Sequence, residues 1–180
     1  MNKKGELAKK ILLVSVAGLA ITTALLLPGS AKMFTPFIKR FKTRKHTFIK
    51  SLKTLKRDRL IDFREERGLS KVTITEKGKK KLLIYELDSM EIRKPKKWDN
   101  IWRVVTFDIP ESKKNARNAL REKLKELGFC QLHKSVFVYP YPCLSEIQFI
   151  EEIFQIGSYI NFIEAKTIEN DNWLRSKFDL

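Results

Sequence analysis

Phe48, Leu52 and Leu55 recur at spacings of four and three, which places them on one side of a helix predicted from Thr47 to Leu60. Lys50, Lys53 and Arg57, with Thr54 beside them, fall on the opposite side, so one stripe is apolar and the other basic. Thr47 carries the side-chain oxygen expected of an N-cap. Leu60-Ile61-Asp62-Phe63-Arg64 then leads into the polar turn Glu65-Glu66-Arg67-Gly68, and Lys71-Val72-Thr73-Ile74-Thr75 alternates as a strand does. The expected result is a hairpin with Arg67 at its tip. Thr75-Glu76-Lys77-Gly78 opens a further helix to about Tyr85. Upstream, Ile11 to Leu27 is nearly all apolar and predicts a buried first helix, and Met33 to Phe41 predicts a short amphipathic one.

The pattern changes after a charged stretch, Leu87 to Asn100, that contains Pro95 and has no apolar period. Trp102 to Phe107 reads as a buried strand ending at Asp108-Ile109-Pro110-Glu111. A helix is expected from about Ser112, with Ala116, Leu120, Leu124 and Leu127 inward, Arg117, Arg121 and Lys125 outward, and Gly128 as its stop. The outward cations are interleaved with Glu122 and Glu126, the mixed-charge pattern expected of an ordinary solvated helix face. Phe129 to Leu132 and Ser135 to Tyr139 predict two strands, Cys143 to Ile156 a second helix closed by Gly157, Tyr159 to Ala165 a last strand, and Asn170 to Phe178 a terminal helix. The order βαββαβ is that of the ferredoxin-like split unit. The fold class is therefore α+β, in three parts: an N-terminal domain at 1–90, a linker at 91–100 and a ferredoxin-like domain at 101–180.

Charge separates the two halves more sharply than periodicity does. Met1 to Lys97 carries 26 Lys and Arg against 9 Asp and Glu, a net of +17, whereas the rest of the chain has a net of −1. A folded segment with that surplus repels itself unless an anion lies close, so nucleic acid or an anionic membrane is its natural partner. The order helix, short helix, basic helix, hairpin, helix is that of a winged helix-turn-helix domain, in which the basic helix fits the major groove and the hairpin reaches the neighbouring backbone. The expected contacts to double-stranded DNA are Lys45, His46, Lys50, Lys53, Arg57, Arg67 and Lys71. Arg57 is the one suited to a forked contact with a guanine edge.

The run from Ile11 to Leu27 has a second reading as a membrane span, following Lys3, Lys4, Lys9 and Lys10. Its interior Ser15, Gly18, Thr22 and Thr23 suit packing against other helices, and the basic flank from Lys32 to Lys45 keeps the rest of the chain in the cytoplasm on either reading. A buried helix in a cytoplasmic protein is the expectation, and a tether with the basic half on anionic lipid the alternative. Cys130 and Cys143 form no CxxC pair, and His46 and His133 complete no zinc spacing, so reduced thiols and no cofactor are expected. Phosphate loops, serine elbows and zinc-protease motifs are absent.

Thr106 to Glu111 (TFDIPE), Leu124 to Phe129 (LKELGF) and Leu132 to Pro142 (LHKSVFVYPYP) give the stretch from Trp102 to Phe178 a resemblance to the central domain of PaaX-type transcriptional repressors. That domain is itself similar to Cas-two, the small nuclease of CRISPR adaptation. The resemblance implies a homodimeric regulator with the winged helix in front and the second domain as the coupling hub. It does not extend to the C-terminal domain of longer PaaX-type repressors, so a coenzyme A thioester effector is not implied. His133 stands where both families tend to show Gln. The resemblance also raises an alternative, a magnesium-dependent endonuclease linked to CRISPR adaptation, in which Asp108 from each of two protomers holds the metal. Asp108 is expected instead to cap the helix that follows it. The near-neutral balance of the second half argues the same way, because a module gripping a phosphate backbone should be basic.

Overall fold

The computed structural model describes residues 3–16, 45–66 and 69–180, with backbone alone at 3, 4, 45, 64–66 and 69–71. The chain divides into two compact units, Met1–Ser89 and Met90–Leu180.

In the first unit α1 spans Lys3–Val16, α2 Lys45–Arg57, β1 Ile61–Glu66, β2 Leu69–Ile74 and α3 Glu76–Asp88. Leu7, Ile11 and Leu12 of α1 meet Phe48, Leu52 and Leu55 of α2 in one core, closed by Leu60, Ile61, Val72 and Leu82. Each such side chain, taken fully from water, contributes roughly 1.5–3 kcal/mol before conformational entropy is set against it. Ser15 is also buried, and its hydroxyl is satisfied by donating to the Ile11 carbonyl at 2.8 Å. Lys9 joins α1 to α3 through Glu86 at 3.1 Å and the Ser89 hydroxyl at 2.6 Å.

Three expectations for this unit change. The first helix starts at Lys3, not Ile11; residues 17–27 of the expected helix, and the Met33 to Phe41 stretch, lie outside the described residues. Thr47 sits inside α2, so it is not an N-cap, and α2 ends at Arg57 because Arg59 turns into the left-handed region at φ 57°. Helix α3 continues to Asp88, beyond Tyr85.

The junction from α2 to the hairpin is stapled to the start of α3. Thr75 caps α3 by accepting from the Gly78 N–H at 3.0 Å, and the same hydroxyl donates to the Arg59 carbonyl at 2.7 Å. The Thr75 N–H reaches the Leu60 carbonyl at 3.1 Å, and the Lys77 ammonium reaches the Asp58 carbonyl at 3.0 Å. Gly78 is required here by space, since a Cβ would lie 2.0 Å from the Leu60 carbonyl oxygen. These bonds fix the direction in which α2 presents its outer face. In the hairpin the strands pair antiparallel from Ile61↔Ile74 out to Glu66↔Leu69, leaving two residues between them.

In the second unit β3 spans Trp102–Phe107, α4 Lys114–Glu126, β4 Cys130–His133, β5 Val136–Tyr139, α5 Leu144–Phe154, β6 Ile160–Ala165 and α6 Asn172–Phe178. The four strands lie in the order β4-β5-β3-β6, and every neighbouring pair is antiparallel. With a helix after the first and third strands, this is the ferredoxin-like arrangement. One sheet face carries Val105, Phe107 and Phe137, all buried, as are Leu120 and Leu124 of α4 and Ile147 and Ile150 of α5. The other face carries Trp102, Cys130 and Val138, sealed by Leu174 and Phe178 of α6.

Local endings differ from the sequence expectation in four places. A 3-10 turn at Glu111–Lys113 delays α4 to Lys114. Helix α5 ends at Phe154 because Gln155 adopts the left-handed conformation (φ 53°), so Gly157 is not its stop, whereas Gly128 at φ 91° does follow α4. Arg117 and Arg121 do not pair with Glu122 and Glu126 on the solvated face. Arg117 turns back to the Ile109 carbonyl (2.9 Å) and Glu111 (2.6 Å), and Arg121 to the Lys134 carbonyl (2.9 Å) over the Phe107 ring. The expected linker is folded at its C-terminal end: the Trp98 indole donates to the Ile101 carbonyl at 3.1 Å and its ring lies 4.7 Å from that of Trp102.

Candidate nucleic-acid interface

Burial on α2 follows the apolar spacing closely. Phe48 is 0%, Leu52 1% and Leu55 3% exposed, while His46, Lys50, Lys53, Lys56 and Arg57 are exposed. The inward stripe holds the helix to the core, and the outward stripe faces away from that core. Lys50 and Lys53 have no hydrogen bond or ion pair among the described residues. Arg57 spends its Nε on Asp58 at 3.1 Å, a solvated pair of small worth that leaves the guanidinium fork free to exchange partners. Lys56, which the sequence reading passed over, lies 4.7 Å above the Phe63 ring and joins the cationic face to the hairpin. The signal for it was available: it is three residues beyond Lys53.

The other expected contacts are placed less fully. Lys45 is the first residue of α2, and its side chain lies outside the description. Lys71 pairs with Arg64 across the hairpin, and Arg67 at the tip lies outside the described residues. A shallow hollow on the outer face of α2 is bordered by His46, Ile49, Lys50, Lys53, Thr54 and Arg57.

Asp108 belongs to the second unit, just past β3, and is exposed. It is not a cap: Pro110 and Lys113 occupy the N-cap positions of the 3-10 turn and of α4, and neither makes a side-chain cap bond. Its backbone N–H donates to the Tyr159 carbonyl at 3.0 Å, and its carboxylate has no partner among the described residues. Among the described residues no group of three or more His, Cys, Asp or Glu gathers to hold a metal ion. Among the described residues Asp108 is thus not part of such a cluster.

Both cysteines are buried, and burial pushes the Cys143 thiol up to about 12. That excludes a thiolate nucleophile there at neutral pH. No helix among the described residues is long and apolar enough to cross a membrane.

Strand order 4-1-3-2 within the second unit, antiparallel throughout, with its two βα crossovers, defines the class of this domain as ferredoxin-like. Residues 95–174 match the family model of the PaaX protein central Cas2-like domain. No curated protein matches the chain.

Proposed function

We propose that the protein is a homodimeric, PaaX-like transcriptional regulator of the cytoplasm that binds double-stranded DNA without a cofactor. In this reading the first unit is a winged helix: α2 enters the major groove with His46, Lys50, Lys53 and Arg57, and the β1–β2 hairpin lies over the adjacent backbone with Lys71 and Arg67. The observation that carries it is the cationic outer stripe of α2, set opposite Phe48, Leu52 and Leu55 and held in place by the staple at Thr75. The PaaX-type second unit supports the regulatory assignment. Two copies joined through that unit would address half-sites about one helical turn, ~34 Å, apart.

The test is a gel shift of the purified chain on labelled duplex and on labelled RNA, with and without magnesium. A retarded, intact duplex in both conditions supports the regulator. Cleavage that disappears with EDTA and with Asp108→Asn transfers the assignment to the nuclease, for which the exposed, uncapped carboxylate of Asp108 is the favouring observation.

A further inference from the structure

Arg93, Lys94, Pro95, Lys96 and Lys97 are all exposed and lie outside any helix or strand. None of the four cationic side chains has a hydrogen bond or ion pair among the described residues. The nearest acids do not neutralise them. Asp99 is taken up by Arg103 through bonds of 2.7 and 2.5 Å, which leaves Glu91 as the sole acid between Met90 and Trp98.

Both ends of the run are held. On the N-terminal side the Ser89 hydroxyl bonds to the Tyr85 carbonyl at 2.9 Å and receives the Lys9 ammonium. On the C-terminal side Trp98 lies between Trp102 and the Arg175 guanidinium, each 4.7 Å away. Pro95 fixes its own φ and keeps Lys94 extended. Such a strap loses less conformational freedom on binding than a free tail of the same charge.

A run of exposed cations with no hydrogen bond or ion pair among the described residues, tethered at each end, has the chemistry of a phosphate-binding arm. We propose that Arg93 to Lys97 is a second DNA-contact element, lying along the sugar-phosphate backbone of the duplex that α2 reads. This rests on the DNA-binding assignment above and extends it to residues outside the winged helix. The arm adds affinity without sequence information, since phosphate contacts are the same for every base pair. A lipid surface is the weaker fit. The apolar neighbours are turned inward, Ile92 being buried and the Trp98 ring packed at a tilt against Trp102, so the arm offers nothing to the acyl boundary.

The experiment measures anisotropy of a fluorescein-labelled duplex of about 30 base pairs, roughly three helical turns, against the full chain over a series of KCl concentrations. The variant is Arg93→Gln/Lys94→Gln/Lys96→Gln/Lys97→Gln, with Lys96→Glu/Lys97→Glu as a second. The slope of log K against log salt should become shallower by about 0.9 per lost contact, up to about 3.6 for four, with equal loss on two unrelated duplexes. An unchanged slope in both variants, with the unaltered protein still binding, overturns the arm and leaves the regulator standing. Failure of the unaltered protein to bind either duplex removes both. Binding to phosphatidylserine vesicles that the variants lose, with an unchanged duplex slope, overturns the arm in favour of a membrane contact.

Discussion

Arg103 and Asp99 are joined by two parallel hydrogen bonds, Nη1 to Oδ1 at 2.7 Å and Nη2 to Oδ2 at 2.5 Å. The arginine side chain is only 4% exposed and sits in β3 opposite Glu164, whose carboxylate is 3.5 Å from its Nε. It also donates to the Pro140 carbonyl at 2.9 Å, so one cation ties the entry to β3, the end of β5 and the edge strand β6.

Asp99→Ala leaves that cation short of its closest anion. Because Asp99 itself is 42% exposed, water recovers part of the loss, and we expect a cost of about 2 kcal/mol to the second unit. Tryptophan fluorescence in a urea titration checks this. It reports on the second unit alone, since Trp98, Trp102 and Trp173, the protein's 3 tryptophans, all belong to it.

The same pair sets a pH dependence. Hydrogen bonding from Arg103 holds the Asp99 carboxyl below its ordinary value of 3.8. Its contribution is therefore complete above that value and is lost as the pH falls through the lowered one. The urea midpoint of the second unit should drop below about pH 4, and the drop should be shallower in Asp99→Asn.

Gly78→Ala drives a methyl group into the Leu60 carbonyl, 2.0 Å away and part of the backbone. Relief requires separating α3 from the α2–β1 junction, at a cost of about 3 kcal/mol to the first unit. Thr75→Ala, which removes the cap and the bond to Arg59, should cost about 1 kcal/mol. Amide hydrogen exchange across 45–88 measures both, and the second unit's exchange should not change.

Lys50→Ala/Lys53→Ala/Arg57→Ala removes three exposed cations and no core side chain. The fold should keep its melting temperature, while the salt dependence of duplex binding falls by about 2.7, or 0.9 per contact. Unlike the arm variant, this one should also flatten discrimination between duplexes, because the groove-facing helix is the element that reads bases. Unaltered affinity on every duplex would remove α2 from the interface.

Cys143 should resist alkylation in the native state. Burial raises its thiol to about 12, and Cys130 is buried with it. Iodoacetamide at pH 8 should label neither cysteine until denaturant is added. Rapid native labelling would place a thiol at the surface.

The elements of the second unit were legible because their patterns are clear: WRVVTF is a short, mostly apolar run of strand formers, and Leu120, Leu124 and Leu127 recur on a helical face ended by Gly128. The inward stripe of α2 was legible for the same reason. What periodicity hid were the polar groups recruited by tertiary contact. Arg103 within WRVVTF is buried because Asp99, Glu164 and a carbonyl converge on it from three separate segments. Arg117 and Arg121 look like solvated cations until the loop carbonyls of Ile109 and Lys134 come within reach. Asp108 reads as a cap from its place before Ile-Pro, yet the 3-10 turn moves the helix start six residues on, to Lys114, and leaves the carboxylate outside it.

The lid formed by α6 has a practical consequence. Trp102 is fully enclosed, its indole N–H bonded to Asp171 at 2.9 Å and its ring 6.1 Å from that of Phe178. A chain cut short before Asn170 would bare this indole together with Val138 on an open, two-edged sheet, and such a fragment should collect in inclusion bodies.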